Sequence, residues 1–196
     1  MANVGSINWG DFKQEIIDFN GGNSSQSFIE TANFYSTLYY NTIQNATLIN
    51  GNAILPLPSS KLLLYNGFIS LFNSSFALQS GSITPQFTLT LTNSIIAFWM
   101  LQTFDGSIPI LPANSPAIPI LPAIVTLGGI GGGITSPLNL SIFAAFNTGT
   151  NDGFANGLTI ALRAHALTIQ GNYSGLITSP PPILPVPVVV PWFGIN

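Results

Sequence analysis

Charge is what this chain lacks, and the lack is concentrated in two long runs. From Leu62 to Phe104 there is no Lys, Arg, Asp or Glu, and from Gly106 to Asn151 there is none either. A globular chain ordinarily carries roughly a quarter charged residues; here the fraction is 5%. The surface must therefore be wetted by Asn, Ser, Thr, Gln and Gly. The apolar residues, 46% of the 196, must end up in a core or against another surface. The length suits one domain, or two small ones.

The same scarcity excludes several functions. Lys13, Lys61 and Arg163 are the only basic side chains besides the lone His165, too few to neutralise a run of phosphates, so nucleic acid is not expected as a partner. With no cysteine there is no disulfide and no thiolate metal site, and one histidine does not make a zinc pattern. Asn151-Asp152-Gly153 is only a fragment of a calcium loop, and Asp105 and Asp152 each precede a glycine, as turn residues do. The GGIGGG run at 128–133 lacks the Lys-Ser/Thr that completes a phosphate loop. There is no nucleophile elbow; on a strand, Arg163 and His165 would share a face, but without a serine and an acid. No catalytic residue, metal or cofactor is assigned, and the chain reads as a non-enzyme. Residues 1–8 show no secretory signal, and Pro119 and Pro122 break the apolar stretch Ala117–Ile134, so membrane insertion is not expected. Asn-x-Ser/Thr sequons at Asn23, Asn45, Asn73, Asn139 and Asn172 are about as many as chance provides and carry no inference.

Along the chain, Trp9, Phe12, Ile16 and Phe19 recur at helical spacing and predict an amphipathic helix over 9–19, within an N-terminal arm of residues 1–26. Phe28, Ala32, Tyr35 and Tyr39 weakly favour helix over strand. From Asn45 onward the signals read as strands. Asn50-Gly51 and Asn66-Gly67 suit tight hairpins. Phe87, Leu89 and Leu91 alternate with threonines, and 95–103 reads as a central strand. The stretches 138–146 and 158–170 read as another pair. The expected fold is mostly β, a β-sandwich or jelly roll over 27–179. IPILPA at 108–113 and again at 118–123, and the apolar C-terminal extension at 180–196, read as proline-rich extended strips.

The functional expectation is a self-assembling structural subunit of an extracellular or particle-surface polymer: a fibre, a pilus-like appendage or a surface layer. Its partners are copies of itself, and its termini add as strands or arms to a neighbour. Trp9, Phe12, Ile16, Phe19, Val188, Val190, Trp192 and Phe193 are the candidate subunit contacts. The alternatives are a jelly-roll capsid or virion-decoration protein and a glycan-binding sandwich, although no motif singles out a glycan. In composition alone the chain resembles prokaryotic surface-fibre and spore-surface proteins, a likeness that transfers no residues.

Overall fold

The computed structural model describes residues 7–22, 26–48, 52–77, 84–105, 123–126, 133–177 and 186–195. The chain is mainly helical. Six helices are described: α1 (Trp9–Gly22), α2 (Phe28–Ile43), α3 (Lys61–Ala77), α4 (Pro85–Met100), α5 (Pro137–Phe146) and α6 (Asn151–Thr168). Each packs on the next, and α6 returns to α1, closing a ring of six. An ion pair between Lys13 and Asp152, 3.1 Å apart, spans the α1–α6 closure.

This overturns the expected sandwich or jelly roll, and the reasons are local. Gly67 of the Asn66-Gly67 pair lies inside α3, not in a hairpin. A Cβ placed on it would come within 2.6 Å of the Ser94 Cβ, so the glycine serves close approach of α3 to α4. The alternating threonines of 87–92 belong to α4, where Thr88, Leu91, Thr92, Ile95, Phe98 and Trp99 are buried at spacings of three and four. Thr88 and Thr92 lie on the buried face because Asn139 of α5 accepts from both hydroxyls, at 2.8 and 3.0 Å. The expected central strand is therefore mostly the second half of α4, and the expected strand pair at 138–146 and 158–170 is mostly α5 and α6.

The helix ends follow ordinary capping chemistry. Ser27 and Glu30 form a reciprocal capping box at the start of α2: the Glu30 N–H donates to Ser27 Oγ and the Ser27 N–H to Glu30 Oε2. The Ser27 N–H and the Ser27 hydroxyl, both donating to the Glu30 carboxylate, hold it below its usual range. Pro85 and Pro137 open α4 and α5, and Ser136 and Thr150 cap α5 and α6.

Five short strands form one antiparallel sheet in sequence order: β1 (Ile54–Leu55), β2 (Thr103–Phe104), β3 (Ala123–Thr126), β4 (Gln170–Ile177) and β5 (Val186–Phe193). Two further bridges, Leu48 with Ile195 and Thr47 with Ala53, link the end of the β5 segment to the start of β1. The sheet thus curls on itself at that end. Leu48, Ile54, Phe104, Val125, Tyr173, Trp192 and Ile195 are buried there, with the Phe104 and Trp192 rings 5.3 Å apart.

One hydrophobic core joins residues from all three segments expected from the sequence: Ile7, Phe12 and Ile16 near the start, and Trp192 and Ile195 near the end. The expected helix at 9–19 runs on to Gly22, and the weak preference for helix at 28–39 corresponds to α2. The Asn50-Gly51 pair, both IPILPA copies apart from Ala123, and most of the GGIGGG run lie outside the described residues.

Candidate association surface

Of the eight candidate contact residues, Phe12 and Ile16 are buried on the inner face of α1. Trp9 and Phe19 are partly buried against the same core, Phe19 stacked on Phe34 at 3.7 Å. Trp192 is buried beside Phe104. These five side chains are engaged within their own subunit. Phe193 is 63% exposed, as is Val189. Val188 and Val190 enter through their backbones, paired with Gly175 and Tyr173.

That pairing limits strand addition. The Gly194 N–H donates to the Ile169 carbonyl at 2.8 Å, while Phe193 stands opposite Gln170. In an antiparallel ladder this makes 193–170 a non-hydrogen-bonded pair. The even-numbered residues of β5 then bond to β4, and positions 187, 189, 191 and 193 turn their backbone groups outward. Positions 187 and 191 are proline, so the outer edge carries only the Val189 and Phe193 N–H groups. Among the described residues, nothing pairs with that edge between Val186 and Phe193. A foreign strand laid along it would meet a proline ring at every second bonding position.

Among the described residues, a larger group of exposed apolar side chains lies elsewhere. Gln102, immediately before β2, is fully buried. Its Nε2 donates to the Phe98 carbonyl at 2.6 Å and to Ser60 Oγ at 3.0 Å, and its Oε1 accepts from the Leu57 N–H at 3.2 Å. Ser60 Oγ donates to the Leu57 carbonyl at 2.6 Å. This knot fixes the β1–α3 connection to the end of α4. On the two segments it joins stand five exposed large apolar side chains: Leu55, Leu57, Leu62, Met100 and Leu101. They were not among the sequence candidates. No short motif marks them, because in sequence they look like core leucines; only the closure of the chain at Gln102 places them outside.

His165 sits on α6, not on a strand, and is buried, while Arg163 is exposed. Residues two positions apart on a helix point about 200° apart, so the expected shared face does not exist. His165 helps line a cavity of about 390 Å³ with Ser136, Ser141 and Thr168. Its Nε2 is sealed without a hydrogen-bond partner among the described residues, and burial pushes its pKa down to about 4. No carboxylate lines the cavity to orient the imidazole.

Among the described residues there is no group of three His, Asp or Glu able to hold a metal, and no helix long and apolar enough to cross a membrane. The Asn139 side chain is fully buried, so that sequon is closed in the folded chain. Comparison with family models, with curated proteins and with solved structures gives no match.

Proposed function

We propose that this chain is a non-enzymatic structural subunit that associates with copies of itself through the apolar end around Gln102. The reading rests on one observation: Leu55, Leu57, Leu62, Met100 and Leu101 stand exposed on a scaffold held by a buried hydrogen-bond knot. A locked apolar surface loses little side-chain and loop freedom when it is covered. The low charge supports the reading, since a formal net charge of −3 opposes the approach of like subunits only weakly. The contact is face to face and does not use strand addition, which the prolines of β5 disfavour. An extracellular or particle-surface polymer remains the setting that suits so uncharged a chain.

The test is sedimentation and light scattering across protein concentration, with electron microscopy of whatever assembles. The wild-type chain is expected to form discrete oligomers, filaments or closed particles. Leu62→Asp with Leu101→Asp is expected to raise the dissociation constant at least about tenfold, with unchanged circular dichroism because both side chains are exposed. A wild-type chain that stays monomeric at every concentration defeats the proposal, and so does a double variant that assembles unchanged.

A further inference from the structure

A second cavity, of about 440 Å³, opens where α2, α3, the end of α1 and the α5–α6 connection meet. Its lining combines two kinds of group. Amides come from Asn20, Gln26 and Asn151, and hydroxyls from Thr31, Thr148 and Thr150. Rings come from Tyr35, Phe72, Phe146 and Phe154. Tyr35 and Phe72 lie 5.3 Å apart and Phe146 and Phe154 4.8 Å apart, the two pairs joined edge-on through Tyr35 and Phe154 at 6.1 Å, so that tilted rings back the cavity. No Asp, Glu, Lys, Arg or His lines it. The nearby Asp152 is engaged by Lys13 at 3.1 Å.

We propose that this cavity binds a neutral carbohydrate. A sugar ring presents an array of hydroxyls, each donor and acceptor, together with patches of C–H that are apolar. Carboxamides supply both a donor and an acceptor on one side chain, and ring faces receive the C–H patches. A phosphate, carboxylate or ammonium ligand would find no counter-charge here. The polar groups are also held ready. Asn20 Oδ1 accepts from the Tyr35 hydroxyl at 3.0 Å, which leaves the Asn20 Nδ2 as a donor. Thr31 Oγ1 donates to the Ser27 carbonyl at 3.0 Å and keeps its lone pairs for a ligand. The connection carrying Thr148 and Thr150 is pinned by Thr148 Oγ1 donating to the Ala145 carbonyl at 2.9 Å and by Thr150 capping α6. Gly149, at φ 72°, makes the turn between them, in a conformation that L side chains rarely adopt. Gln26 and Asn151 have no side-chain partner among the described residues. The volume suits one or two sugar rings. The proposal does not depend on self-association, because the cavity lies away from the Gln102 knot and uses none of its residues.

The experiment is titration of the ¹⁵N-labelled full chain with glucose, galactose, N-acetylglucosamine, maltose and cellobiose, with glucose 6-phosphate and adenosine as controls. At least one neutral sugar is expected to shift the amides of residues 20, 26, 31 and 148–151, with a dissociation constant on the order of millimolar. Gln26→Ala with Asn151→Ala is expected to weaken that sugar roughly tenfold while the rest of the spectrum is unchanged, which shows that the fold is intact. Three results would overturn the proposal: no sugar of the panel shifting those amides, equal affinity in the double variant, or tighter binding of either control.

Discussion

The two buried tryptophans belong to different regions and are treated differently. In the helical ring, the Trp99 indole N–H donates to the Tyr39 hydroxyl at 2.8 Å, with both side chains fully buried. In the curled sheet, Trp192 is 7% exposed and its indole N–H has no partner among the described residues. The ring also satisfies its largest buried amide. Asn139 makes four side-chain hydrogen bonds: its Oδ1 accepts from Thr88 and Thr92, and its Nδ2 donates to the carbonyls of Pro85 and Ile134. Polar groups specify a fold when they are fully satisfied and weaken it when they are not. On these contacts the helical ring is the part of the molecule more fully specified by buried polar groups; the sheet has the Asn52 Nδ2 to Tyr173 hydroxyl bond, at 2.9 Å. Within the ring, His165 is the exception, with Nε2 sealed and unpaired.

The largest expected effect comes from Asn139→Leu, which removes four side-chain hydrogen bonds from the α4–α5 contact, leaving the Thr88 hydroxyl only its longer bonds to the Pro85 and Asn139 carbonyls. A loss of about 4 kcal/mol in unfolding free energy is expected by denaturant titration. A loss below about 1 kcal/mol would remove the ground for calling the ring the specified half.

The exception yields a pH dependence. With His165 near 4 when folded and near 6.5 when free, the unfolded chain takes up its proton first. The His165 contribution is then complete above about pH 6.5 and is lost as pH falls toward 4, by about 3 kcal/mol in all. His165→Gln should flatten stability against pH in that window relative to the wild type. Parallel curves for the two proteins would show that the imidazole is not held neutral.

The smallest effect is the sharpest comparison, because one chemical change is made twice. Trp99→Phe removes a satisfied donor and leaves the buried Tyr39 hydroxyl without its partner, for an expected loss of about 2 kcal/mol. Trp192→Phe removes an unsatisfied donor and should leave stability unchanged or raise it by up to about 1 kcal/mol. Equal losses at the two sites would erase the distinction between the regions.

The legible parts of the sequence were those where apolar spacing and polar partners agreed locally. Trp9, Phe12, Ile16 and Phe19 show the period of α1, and the Ser27–Glu30 box stands three residues apart where α2 begins. That box was the missed signal that turns a weak preference for helix into a firm one. Along α4 the two criteria disagreed. Its threonines look like the wet side of a strand, yet Thr88 and Thr92 are buried, because their partner is an asparagine some fifty residues on. A tertiary hydrogen bond of that kind has no local signature. Asn66-Gly67 misled for a related reason: the glycine answers to Ser94 on a neighbouring helix, not to a turn. The cavity between α2 and the α5–α6 connection draws on four separated stretches of chain, and the exposed leucines resemble core leucines until Gln102 joins their segments, so neither site was readable from spacing.

The contact that closes the ring has a cost in time. The helix α1 comes to rest beside α6, which begins about 130 residues further along the chain. At ordinary rates of synthesis α6 follows α1 from the ribosome on the order of ten seconds later. For that interval the first helix has α2 beside it but not α6, and the nascent chain displays the surface that α6 will later hide.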